Sequence, residues 1–170
     1  MELSNRDGWA VVHGLVLGTI FLLAFAGGLA GLWSLRPALV TTVGAVERLR
    51  RLRVGLWTMA VVAWATVVTG TYIVYPWYRD QAATSARSRL LADPDTALWH
   101  TFGMEWKEHV AWVSPLLATA VAFIVTWYGP RLAREQRMRR LVMVMFVAAF
   151  LTAGVAGIFG AFLNKTAPIR

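Results

Sequence analysis

Four runs of sequence carry no Lys, Arg, Asp or Glu at all: Trp9 to Leu35, Val54 to Tyr75, His109 to Tyr128 and Leu141 to Leu163, each of 20 residues or more. A bilayer hydrocarbon core about 30 Å thick is crossed by about 20 apolar residues in helical form. A chain of 170 residues with four such runs, 58% hydrophobic and only 15% charged, therefore reads as an all-α membrane protein. The expected fold is four transmembrane helices over about 9–35, 54–75, 109–128 and 141–163, with a polar outer segment over 76–108, all in one domain spanning 1–170. Two short connectors and one longer one make an antiparallel up-down-up-down bundle the economical arrangement. A cleaved signal peptide is a poor reading of the first run, because the residues before it carry Arg6 against Glu2 and Asp7 rather than a basic segment.

Local signals divide the rest. Arg36-Pro37 opens the first connector, Tyr75-Pro76 is expected to stop the second helix, and Pro115 to kink the third before Gly129-Pro130 ends it. Within the outer segment, Thr84 to Leu91 suits a short surface helix before the Asp93-Pro94-Asp95 turn. Asp95 or Thr96 is then expected to cap a helix that runs on into the third span.

Charge sets an orientation. The first and third connectors hold ten arginines against Glu47 and Glu135, whereas the other face holds seven cations against seven acids. The whole formal charge of +8 thus belongs to one side. By the positive-inside rule the Arg-rich connectors face the cytoplasm and both termini lie outside, as in a bacterial inner membrane. Topology and contact with anionic lipid account for these arginines, and no nucleic-acid partner is expected.

The absence of cysteine excludes disulfides, thiolate clusters and covalently attached haem, so a redox cofactor would depend on His, Met or carboxylate. Of three histidines, His13 lies four residues after Trp9 and His109 three after Trp106. If these tryptophans mark the interface, both imidazoles sit about 5 Å inward on helices that start from the same face. An ionisable group inside a span is by default a functional hypothesis, and two imidazoles at one depth suit axial ligation of a haem b iron. Gly70 and Gly157, on the other two helices, fall near that depth and would leave room for a macrocycle. Arg79 and Lys107 lie outward, where propionates would be. His100 is a reserve ligand should the chain bend at Gly103.

Other readings of the same residues stand beside this one. A histidine in the first turn of a span also serves as an interfacial hydrogen-bonding group, and glycines in membrane helices commonly serve close packing. Glu105 and His109, four apart, could hold a metal with His13 or His100, although no paired Glu-x-x-His pattern of a di-iron bundle is present.

In its four spans and in the His13 and His109 pair with flanking glycines, the chain resembles the four-helix membrane cytochromes b. That resemblance implies an electron-transfer subunit of a respiratory or photosynthetic complex, holding haem b with a quinone nearby. It also implies partner membrane subunits and a periplasmic or extracellular electron carrier. The spans carry no catalytic Ser, Cys or acid–base array, which points to a subunit rather than a free-standing enzyme. The alternative is a cofactor-free accessory or scaffold subunit of a membrane complex.

Overall fold

A computed structural model describes residues 4–36, 39 and 42–168. Residue 37 of the expected Arg36-Pro37 turn lies outside the described residues, as do Glu2 and Arg170 at the termini. All regular structure among the described residues is helical. Four helices are long and apolar enough to cross a membrane: α1 (Asn5–Ser34), α2 (Val46–Tyr78), α4 (Pro94–Ala133) and α5 (Gln136–Thr166). A short helix, α3 (Ala86–Ala92), sits between α2 and α4.

The starts are fixed by local chemistry. Ser4 and Asp7 form a reciprocal capping box at α1, each side chain accepting from the other's backbone N–H. Ser85 caps α3 by accepting from the Ser88 N–H. At α4 the cap is Asp93, whose carboxylate takes the Asp95 N–H, with Pro94 at the first helical position where its missing N–H costs nothing. The expectation of Asp95 or Thr96 as cap is thereby corrected by two or three residues. The consequence is that the second half of the expected outer segment, from 94 on, is the beginning of α4.

Two prolines behave differently from each other. Pro76 does not end α2, which continues to Tyr78. The turn before it is π-helical, Gly70–Val74, and the Tyr75 N–H reaches back five residues to the Gly70 carbonyl, so the ladder is already displaced where proline would interrupt it. Pro115 acts one turn upstream, where regular helix lapses between His109 and Val113. Proline offers no N–H to the Ala111 carbonyl, which accepts from the Ser114 N–H at 3.2 Å instead. The regular part of α4 then ends at Tyr128, followed by Gly129 with φ of 55°, a conformation that favours glycine.

Helix α1 packs on α2, α2 on α4, α4 on α5, and α5 back on α1. Side-chain bonds record the register: His13 meets Thr69 while Arg48 meets Ser34, and Trp64 meets Thr119 while Trp57 meets Thr126. Between α4 and α5, Trp99 stacks on Phe162 and the Trp106 indole reaches the Thr152 carbonyl. The centre is apolar and tight. Leu32, Leu56, Met59, Val121, Val125, Val142 and Phe146 are fully buried. A Cβ built on Gly28 would lie 2.6 Å from the Phe146 ring, so only glycine admits that ring to α1. Elsewhere the helices turn large apolar side chains outward, among them Leu15, Leu23, Val61, Phe123 and Trp127.

Candidate functional site at the His13 end of the bundle

Three helices carry a π-helical turn: Val11–Val16 in α1, Gly70–Val74 in α2 and Trp99–Met104 in α4. The first two meet where His13 touches Thr69 and Gly70, and the third packs on the C-terminal part of α5, so all lie at one end of the bundle. Single π turns inside α-helices are frequent at functional sites, because each adds a residue and re-aims the side chains beyond it.

His13 is held firmly. Its Nδ1 lies 3.0 Å from the Thr69 hydroxyl, whose own proton goes to the Ala65 carbonyl at 2.7 Å. The Nδ1–H must therefore donate to Thr69, which leaves the lone pair on Nε2. The ring lies directly over Gly70: a Cβ there would be 2.9 Å from the His13 Cε1. Lys107 enters from α4 and occupies a similar notch on α5, with its Nζ 2.5 Å from where a Gly160 Cβ would stand. Lys107 lies within electrostatic range of His13. All four long helices thus contribute to one polar level built from His13, Thr69, Gly70, Lys107 and Gly160.

The other two histidines differ in burial. His109 has a side chain 71% exposed, and its Nδ1 lies 3.0 Å from the Glu105 carbonyl of its own helix. His100, expected beyond the span, is instead 8% exposed, with Nδ1 2.8 Å from the Tyr78 hydroxyl of α2. Around that pair stand Glu108, Arg79 and Arg87. Arg79 donates to the Tyr75 hydroxyl at 2.6 Å and lies over the Tyr75 ring. One carboxylate oxygen of Glu108 and the Nε of Arg87 are buried without a hydrogen-bond partner.

A bis-histidine haem needs two imidazoles facing each other across the macrocycle. The structure joins His13, Gly70 and Lys107 but turns His109 outward. Gly70 and Gly160 are filled by the His13 ring and the Lys107 ammonium, while Gly157 has no atom within 4 Å of a built Cβ. His13 and His109 both hold the proton on Nδ1 and leave Nε2 free, as a metal ligand does, but His109 is turned outward, so the two do not face each other across a haem here. Among the described residues no three His, Asp or Glu side chains gather as a metal site, so the Glu105 and His109 alternative finds no further ligand.

The Tyr78 and His100 contact was not foreseen. A signal for it exists in the sequence, since His100, Gly103, Met104 and Lys107 are spaced three and four apart on one face of a helix that Asp93-Pro94 starts. No family model, curated protein or solved structure matches the chain.

Proposed function

We propose that this chain is an integral membrane protein of a bacterial plasma membrane, an up-down-up-down bundle that serves as a non-catalytic subunit of a larger membrane complex. Four helices of sufficient length and apolarity support insertion, as do the large apolar side chains turned outward along them. The falling-against-rising register of His13 with Thr69 and Arg48 with Ser34 supports the antiparallel order. The asymmetry of charge supports termini on the outer side and Arg-rich connectors in the cytoplasm. A reporter fused after Arg170 is expected to be active only when its activity requires export. Cytoplasmic activity would reverse the orientation.

The observation that carries the subunit reading is how the polar groups at the His13 end are used. His13 ties α1 to α2, His100 ties α4 to α2, Trp106 ties α4 to α5, and Arg89 of α3 donates to the Pro168 carbonyl beyond α5. They brace the bundle and its outer segment into one surface, suited to holding a neighbouring subunit.

A second reading, a haem b subunit passing electrons to a quinone or a periplasmic carrier, is favoured by the His13 tautomer. Purification in mild detergent from cells supplied with haem distinguishes the two. The subunit reading expects co-purifying membrane polypeptides and no Soret band. A Soret band that disappears in His13→Ala would establish the electron-transfer reading in its place, and recovery as a lone monomer would count against any subunit role.

A further inference from the structure

On α1, Gly14, Gly18, Phe21 and Phe25 are spaced four, three and four residues apart, which places them on one face. On α5, Phe146, Phe150, Gly154 and Gly157 likewise share a face. The phenylalanines bring the two faces together: Phe25 stacks on Phe150 at 3.8 Å and lies 5.3 Å from Phe146, and Phe21 stacks on Phe150 at 6.1 Å. Toward the His13 end the same two faces continue as bare glycine, and there contact stops. A Cβ built on Gly14, Gly18 or Gly157 finds no atom within 4 Å, and Gly14 and Gly157 are exposed. The result is a groove between α1 and α5, closed at its inner end by the Phe21 and Phe150 rings.

A cation stands at the outer end of this groove. The Lys107 ammonium lies against Gly160 on the groove face of α5 and near His13 of α1. It is nearly enclosed by protein, yet the residue keeps some solvent exposure. Among the described residues Lys107 has no hydrogen-bond or ion-pair partner: the acid before it, Glu105, pairs with His109, and the Glu108 carboxylate faces Tyr75 and Tyr78. An enclosed ammonium without an acceptor is costly, and an anion supplied from outside removes that cost.

We propose that the groove between α1 and α5 binds one phospholipid with an anionic head. Its phosphate accepts from Lys107, and one acyl chain lies over Gly14, Gly18, Gly154 and Gly157 down to the Phe21 and Phe150 rings. The polar end, the apolar length and the aromatic floor follow in the order in which a lipid presents head and chain to a leaflet. A partner helix packed on the same glycines would leave the Lys107 ammonium without an acceptor, whereas a phosphate supplies one. The site rests on the membrane reading above.

Native mass spectrometry of protein released from nanodiscs of equal phosphatidylglycerol and phosphatidylcholine, matched in chains, tests it. One phosphatidylglycerol per chain is expected, preferred about fivefold, the factor that one cation near a membrane surface supplies. Lys107→Met should erase the head-group preference. Gly157→Leu should abolish retention, and so should Gly18→Leu from the facing wall, where a side chain also meets open space. Preference and retention unchanged across all three variants would overturn the proposal, as would a bound polypeptide in place of lipid. Failure to enter nanodiscs would reject the membrane reading itself, whereas entry without retained lipid rejects only this site.

Discussion

Phe146→Ala lowers the stability of the bundle by about 3–5 kcal/mol, the usual loss for truncating a fully buried phenylalanine. The ring is 0% exposed, fills the notch at Gly28 and lies against Phe25, so it fastens α5 to α1. Neighbouring backbone cannot collapse into the space, because Gly28 has no side chain to offer it and Leu56 is already fully buried beside the same notch. Phe123→Ala is the control: that ring is 59% exposed and touches Trp127 on an outward face. Its removal should shift stability by no more than about 0.5 kcal/mol. Unfolding in graded denaturing detergent, followed by tryptophan fluorescence, measures both. Equal losses for the two variants would mean that the bundle buries a different face of α5.

Tyr78→Phe and His100→Phe each cost about 1–3 kcal/mol, because each leaves the other buried polar atom of a 2.8 Å hydrogen bond without a partner. Removing both should cost less than the sum of the two, with a coupling energy of about 0.5–3 kcal/mol. The loss should also be local. Hydrogen exchange ought to quicken at the end of α2 and the start of α4 while the core around Met59 and Val121 stays protected. Additive losses, or faster exchange in the core alone, would show that the pair does not join these two helices. His109→Ala, which removes only an exposed contact within α4, should change neither measurement.

The sequence alone determined that the chain forms four long apolar helices and which runs form them, while their ends lie several residues from where the sequence placed them. Charge-free apolar runs of 20 residues or more bury their backbone polar groups best as helix, and side chains such as Ser4, Asp7 and Ser85 supply caps within a few residues. The level of His13 against Gly70 was legible too, since axial position follows from counting residues at 1.5 Å each. Azimuth was not. One extra residue in a π turn rotates everything beyond it by about 100°, and such turns precede or contain His13, Gly70 and His100. Counting along a regular helix takes His109 as the inward ligand, whereas the structure turns His109 outward and buries His100 against Tyr78. Only the packing of α4 against α2 and α5 decided that His100 meets Tyr78 and Lys107 reaches Gly160, because Tyr78 and Gly160 lie far away in the chain and close in space.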